Sequence, residues 1–170
     1  HGLTLRVTRK AEKPPVLLGW HVIMKSAPYT SGLMMQLSKN FALAELTHSD
    51  TAKARGIDNT LPPYLMRNIK ALAERMQMIR GALGVPIAIS SGYRCPELNN
   101  AVGGSKNSQH QLGLAADIHA KGYTAQELFD VISGSNFGFD QLILERVGGK
   151  EWVHISVQPK ERNDDFSISD

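Results

Sequence analysis

The sequence predicts an α+β domain in which a small antiparallel sheet is flanked by helices. Three observations lead to this prediction. One long segment has helical periodicity, several short apolar segments have the character of strands, and two of these are separated by a glycine pair typical of a hairpin. The elements do not form a repeated strand–helix–strand series, so we expect an antiparallel sheet rather than a parallel one.

The composition is that of an ordinary globular domain, and it argues against several classes of function. The chain has 170 residues, 42% hydrophobic and 21% charged, which suffices for one domain with a core of useful size. The formal net charge of +3 suits an anionic partner such as a cell wall or nucleic acid but does not demand one. Aromatic residues make up 6% and do not interleave with a basic run, which argues against a stacking platform for single-stranded nucleic acid. We expect no nucleic acid partner. No apolar run approaches the roughly 20 residues that span a bilayer, so we expect no membrane insertion. We also expect a monomer. The single cysteine, Cys95, excludes an internal disulfide and a cysteine-rich zinc site.

Three segments of the chain differ in character. Residues 1–34 contain prolines that break any periodicity, and two interpretations of them stay open. They are either an extension, left from cloning or translated from upstream of a natural start at Met34 or Met35, or a natural arm packed on the domain. Residues 35–160 carry the structural signals and form the main domain, and the polar residues 161–170 form a tail.

The first elements of the main domain precede its strongest helical signal. Residues 38–46 are predicted as a short helix behind polar cap residues, and residues 47–60 as a polar loop. Apolar residues then recur at spacings of four and three, which is typical of an amphipathic helix. They are Leu65, Ile69, Leu72, Met76, Ile79 and Leu83. Gly81 and Gly84 are expected to end this helix.

The second half of the domain is predicted to alternate between strands and short helices. In chain order the predicted elements are a strand over 85–90, a helix over 96–102, a strand over 114–119, a helix over 124–132 and a hairpin of strands over 141–145 and 152–157. A capping box formed by Thr124 and Glu127 supports the helix, and the pair Gly148-Gly149 supports the hairpin.

Two histidines and one aspartate are candidate metal ligands. His110 ends a loop rich in Gly, Ser and Asn, Asp117 lies in an apolar strand where an unpaired carboxylate would be costly, and His154 lies in a second strand. Such a set leaves the fourth position of a catalytic zinc open for water. The residues alone leave alternatives open. Asp117 could cap backbone amides, His154 could be an ordinary core histidine, and His119 is a rival ligand on the face of the strand that carries Asp117.

A family resemblance rests on three ordered motifs. They are Ser91-Gly92-Tyr93-Arg94, then Ser108-x-His110-x-x-Gly113-x-Ala115-x-Asp117, then Glu151-x-x-His154. Together they resemble the zinc D-alanyl-D-alanine carboxypeptidase and dipeptidase family, whose fold is shared by phage L-alanyl-D-glutamate endopeptidases and the hedgehog signalling domain. The resemblance covers residues 36–158 and implies a hedgehog-like fold for the zinc peptidase domain at 35–160.

The resemblance also implies the roles of individual residues. His110, Asp117 and His154 are expected to bind one zinc ion. Arg94 is expected to bind the substrate carbonyl or carboxylate and to stabilise the developing oxyanion.

The general base has two candidates. Glu151 is favoured because it holds the family's position three residues before His154. In a regular strand, however, these two residues face opposite sides. A two-residue glycine turn would pair Glu145 with Trp152 on the face that carries His154, which makes Glu145 the rival base. Glu151 keeps the lead because a bulge or the start of the strand can redirect it towards the ligands.

These features together predict a zinc-dependent peptidase that hydrolyses amide bonds in peptidoglycan stem peptides by zinc-activated water. It is expected to be of the D-Ala-D-Ala carboxypeptidase or L-Ala-D-Glu endopeptidase type and to act on the cell wall, in the periplasm or outside the cell. A phage or prophage lysis enzyme (endolysin) and a bacterial wall-remodelling enzyme both fit. We recognise no convincing signal peptide, so export and holin-type release stay open. The alternative function is a non-catalytic, zinc-stabilised module that binds cell wall or protein, and a basic DNA-binding domain is a more distant alternative.

Overall fold

A computed structural model describes residues 35–158 and the backbone of one strand at Leu5–Thr8. The strands in this part of the chain are β1 (Leu5–Thr8), β2 (Gln36–Ser38), β3 (Phe41–Ala42), β4 (Ile87–Ser91), β5 (Ala115–Ala120), β6 (Gln141–Val147) and β7 (Lys150–Ser156). The α-helices are α1 (Leu43–Thr47), α2 (Asp50–Arg55), α3 (Met66–Leu83), α4 (Pro96–Ala101) and α5 (Ala125–Gly134). Short 3-10 helices occur at Pro63–Leu65 and Gln109–Leu112.

A five-stranded antiparallel sheet in the order β1-β6-β7-β5-β4 forms the centre of the fold. Its hairpin, β6–β7, turns at Gly148 and Gly149, whose φ angles of 58° and 77° are accessible to glycine without a Cβ clash. A separate two-stranded hairpin consists of β2 and β3. The predicted α+β class with a small antiparallel sheet is confirmed.

The two faces of the sheet differ because side chains alternate along each strand. One face is apolar and packs into the core together with helices α3 and α5. Its buried side chains include Ile118, Leu142, Leu144, Val153 and Ile155. The other face carries the polar positions of the same strands, so the fold presents them together on one surface of the sheet.

Helix α3 contributes a continuous apolar stripe to the core. Its buried side chains are Ile69, Leu72, Ala73, Met76 and Ile79, at the helical spacings expected from the sequence. The helix ends at Gly84, whose φ of 68° is left-handed. Gly81 lies within the helix, so it does not help to end it as predicted.

Two predictions for the first part of the domain are wrong. Residues 38–46 do not form one helix, because β2 and β3 pair first and α1 begins only at Leu43. Residues 47–60 are not a plain loop, because they contain α2, which Ser49 caps and Gly56 ends with a φ of 65°. Helix α2 buries only Ala52, so it lacks the apolar periodicity by which a helix is recognised in a sequence.

The N-terminal segment contributes one strand to the sheet. Strand β1 pairs with β6, with Leu5 opposite Leu144 and Thr8 opposite Gln141. The rest of residues 1–34 and the tail at 161–170 lie outside the described residues. Among the residues that are described, none of the helices has the length and apolar character that crossing a bilayer requires.

Candidate metal centre

Strands β5 and β7 place two of the candidate ligands side by side. Asp117 is directly opposite His154 in the antiparallel register, so both side chains leave the same face of the sheet. The His154 Nδ1 atom lies 2.9 Å from Asp117 Oδ1.

His110 reaches this pair from the 3-10 helix that precedes β5. Gly113 ends that helix with a φ of 65°, a left-handed conformation that suits glycine. His110 Nδ1 lies 2.6 Å from the carbonyl oxygen of Gly92, which can only accept a hydrogen bond. Nδ1 therefore carries the proton, and the electron pair of Nε2 is free. This Nε2 atom lies 3.2 Å from His154 Nδ1 and 3.3 Å from Asp117 Oδ1.

The three converging atoms have the spacing of a zinc site. They form a triangle with edges of 2.9, 3.2 and 3.3 Å. Ligand atoms at zinc bond lengths of about 2.0–2.1 Å in a tetrahedron lie about 3.3 Å apart. The side chains of His110, Asp117 and His154 are buried and all three can offer a ligand atom, the only such group found within the described residues. His119 is exposed and does not belong to it.

Asp117 is held as an anion in this buried setting. Burial raises the pKa of the Asp117 carboxyl, but its contacts with His110 and His154 have the larger, opposite effect, so the net pKa lies well below the usual range. A buried anion beside two imidazoles favours a cation at this position.

Arg94 binds the second oxygen of the same carboxylate. Its Nη2 donates to Asp117 Oδ2 at 2.6 Å, and its Nε donates to Ser91 Oγ at 2.8 Å. A register shift between Ile89 and Ser91 brings Ser91 opposite Asp117, so an irregularity in β4 helps to place the arginine. The Asp117 carboxylate thus faces the two histidines with one oxygen and Arg94 with the other.

A cleft of about 790 Å³ lies over the three ligands. Its floor contains the ligands and Arg94, one wall is the loop that leads to His110, and the other wall comes from β6 and β7. The β6–β7 wall includes Gln141, Ile143, Glu145, Val147 and Trp152. A smaller cleft of about 310 Å³ adjoins it and shares Arg94 and Val102. The volume of the main cleft, about 790 Å³, is in the range of ligand-binding sites.

The two candidate bases lie on opposite faces of the hairpin. Glu145 is opposite Trp152 and lines the cleft, as the two-residue turn predicts. Burial is the main cause that raises the pKa of the Glu145 carboxyl, and the charge of Asp117 raises it further, while His154, His110 and Arg94 act in the opposite direction.

Glu151 faces away from the cleft. Arg146 Nε donates to Glu151 Oε1 at 2.7 Å, and Arg146 Nη2 donates to Gln126 of α5 at 3.1 Å. The β6–β7 register is continuous, so no bulge turns Glu151 towards His154. The expectation that a bulge or the strand start redirects Glu151 is contradicted, because the regular ladder keeps opposite parity between positions 151 and 154.

A comparison of the sequence with protein families agrees with this geometry. A family model described as Peptidase M15 matches residues 39–156. The chain belongs to the Peptidase M15 family. The predicted family is thereby confirmed, and the match to Peptidase M15 contains every candidate ligand and both candidate bases. A zinc D-Ala-D-Ala carboxypeptidase from Streptomyces albus G is 30% identical to the chain over 107 residues. The aligned part is 61% of this chain and 40% of the relative, so the chain spans less than half of the relative's length.

Sequence reasoning missed several residues that shape this Peptidase M15 site. Gln141 and Ile143 line the cleft because they lie four and two residues before Glu145, respectively, on the same face of β6. Period-two alternation from Glu145 was the signal that could have identified them. Asn59, which is bonded to the turn that carries Arg94, lies in a segment that looked like a polar loop.

Proposed function

We propose that this domain is a zinc-dependent peptidase that hydrolyses amide bonds in peptidoglycan stem peptides at the cell wall. The main support is the buried triangle of His110, Asp117 and His154, which lines a cleft of about 790 Å³. The similarity to a protein named zinc D-Ala-D-Ala carboxypeptidase supports the same metal and the same class of substrate. Both the carboxypeptidase and the endopeptidase type are compatible with this proposal, as are a phage lysis role and a wall-remodelling role.

The three ligands would hold the ion through His110 Nε2, Asp117 Oδ1 and His154 Nδ1. A zinc ion bound there supplies Lewis-acid activation of a water molecule and of the substrate carbonyl. The Gly92 carbonyl fixes the His110 ring in the orientation that exposes Nε2.

Arg94 is proposed to stabilise the charge that develops on the substrate oxygen. A guanidinium has five N–H donors, and Asp117 and Ser91 account for two of them here. Arg94 lines the cleft, so its remaining donors can bind a carbonyl oxygen there as it becomes negative.

Glu145 is proposed as the group that takes the proton from the attacking water. It lies on the cleft face near the three ligands, and burial raises the pKa of its carboxyl in the metal-free protein. Glu151 has the support of the family's motif, but its pairing with Arg146 on the other face of the hairpin favours Glu145.

Turbidity of purified cell walls tests the proposal. The parent protein is expected to clear the walls, a chelator to stop clearing and added zinc to restore it. His154→Ala is expected to be inactive, whereas the matched variant His119→Ala, which changes an exposed histidine of β5, is expected to retain activity. Zinc-loaded protein that binds walls of several chemotypes without clearing any of them would instead support the binding-module alternative.

A further inference from the structure

Asn59 holds the backbone on both sides of Arg94. Its side-chain Nδ2 donates to the carbonyl oxygen of Tyr93 at 3.0 Å and to that of Thr47 at 2.8 Å. Its side-chain Oδ1 accepts a hydrogen bond from the Cys95 amide at 2.7 Å. One amide side chain therefore bonds to the residues immediately before and after the arginine.

The remaining backbone groups of this turn are also fixed. The Arg94 amide donates to the carbonyl oxygen of His110 at 3.2 Å, and the Tyr93 amide donates to that of Leu46 at 2.7 Å. The turn passes so close to α1 that a Cβ on Gly92 would lie 2.2 Å from the Leu46 oxygen. Because Gly92 also accepts from His110, the turn links the arginine to a candidate metal ligand.

Few other side chains could replace Asn59 at this position. The site requires two N–H donors and one acceptor at fixed places, which an asparagine amide supplies. Aspartate has no donor and would face two carbonyl oxygens with a negative charge, and glutamine is longer by one methylene group. One donor and the acceptor serve the turn around Arg94, and the other donor ties Asn59 to Thr47.

Precise placement of this backbone matters because an arginine side chain is long and flexible. Ser91 and Asp117 each bind one nitrogen of the Arg94 guanidinium. They can hold the guanidinium in place only if the Arg94 backbone is itself correctly placed. A displacement of about 1 Å at a catalytic group can cost on the order of 100-fold in rate.

We propose that Asn59 is a positioning residue that sets the place of the Arg94 guanidinium in the cleft. This inference rests on the proposed function, in which Arg94 stabilises charge on the substrate oxygen. Asn59 itself does not touch the substrate, so its effect on the reaction passes through Arg94.

A double-mutant cycle on hydrolysis of a synthetic stem peptide tests the inference. Asn59→Ala is expected to lower kcat by about 10- to 100-fold with KM nearly unchanged. In the Arg94→Ala background the same change is expected to have an effect of less than about 2-fold, because coupled residues are not additive. An equal fold loss in both backgrounds would overturn the proposal and leave Asn59 a purely structural role.

A second measurement does not depend on activity. The parent is expected to show a resolved NMR signal for the Arg94 Nε–H group, which donates to Ser91. Asn59→Asp, which keeps the size of the side chain, is expected to shift or broaden this signal. The control Asn40→Ala, which removes a hydrogen bond to Gln77 outside the cleft, is expected to leave it unchanged.

The two measurements separate the two possible failures. If the parent hydrolyses no stem peptide but Asn59→Asp still moves the Arg94 signal, the proposed function is wrong and the positioning contact stands. If the signal is the same in the parent and in folded Asn59→Asp, the positioning contact is wrong whatever the activity.

Discussion

Replacing Glu145 with glutamine tests the assignment of the proton acceptor. Among the described residues that line the cleft, the acidic side chains are Asp117 and Glu145. Asp117 is bound by two histidines and Arg94, so Glu145 is left to accept a proton. General-base catalysis contributes about 10²- to 10⁴-fold, so Glu145→Gln is expected to lower kcat by that factor, which corresponds to about 3–5 kcal/mol.

Glu151→Gln is the matched control for this change. It removes a carboxylate of the same kind from the opposite face of the hairpin, where the structure shows only the ion pair with Arg146. Exposed ion pairs contribute about 0–1 kcal/mol, so kcat is expected to stay within about 3-fold of the parent value.

Hydrolysis of a synthetic stem peptide, followed by chromatography, gives kcat and KM for both variants. Urea unfolding and zinc content show whether the variants are folded and loaded. Glutamine removes a half-buried carboxylate near Asp117, so Glu145→Gln is not expected to destabilise the metal-free protein. A loss of 100-fold or more in Glu151→Gln, with Glu145→Gln near the parent, would refute the assignment and return the role of base to Glu151.

Three further predictions concern backbone space, helix capping and charge. Gly92→Ala places a methyl group 2.2 Å from the Leu46 oxygen and is expected to lower the free energy of unfolding in urea by about 1–3 kcal/mol. A Cβ at Gly81 meets open space, so Gly81→Ala within α3 is expected to raise the free energy of unfolding by about 0.5–1 kcal/mol. Equal effects of Gly92→Ala and Gly81→Ala would contradict the packing described. Thr124→Ala removes the capping box of α5 and is expected to cost about 1 kcal/mol in the same assay, while Thr124→Ser should retain most of the stability. Burial raises the pKa of Glu145, so its carboxylate NMR titration in metal-free protein is expected to have a midpoint above the ordinary 4.5. Its contribution to stability is then present at low pH and lost as the pH rises through that midpoint. Added zinc should lower the midpoint, and a midpoint that zinc leaves unchanged would contradict a metal ion next to Glu145.

The elements that the sequence predicts well are those with strong local signals. The apolar stripe of α3, the capping box at Thr124 and the glycine pair of the β6–β7 hairpin each specify an element within a few residues of the one observed. The two-residue turn even specifies the register, since it predicts that Glu145 lies opposite Trp152. By contrast, β2, β3 and α2 are too short to carry a periodic signal, and they were missed for that reason.

The sequence likewise predicts one part of the candidate site and not another. The motif spacing predicts which residues are candidate ligands, and two strands and a 3-10 helix bring them together. The contact between Arg94 and Asp117 depends on an irregularity in β4, and the contacts of Asn59 join backbone groups 12 to 36 residues away in the chain. Neither arrangement leaves a local pattern in the sequence. The preference for Glu151 came from its place in the motif, and the regular β-ladder places Glu145 at the cleft instead.

The most direct test of the central claim is mass spectrometry of the muropeptides released from purified peptidoglycan. The account predicts new amino and carboxyl termini at one bond of the stem peptide, formed by the zinc-loaded parent and absent after chelation or in His154→Ala. The identity of these termini also distinguishes a carboxypeptidase from an endopeptidase. If protein that carries one zinc ion per chain releases no new peptide termini from walls of any chemotype, the claim that this domain is a wall peptidase is contradicted.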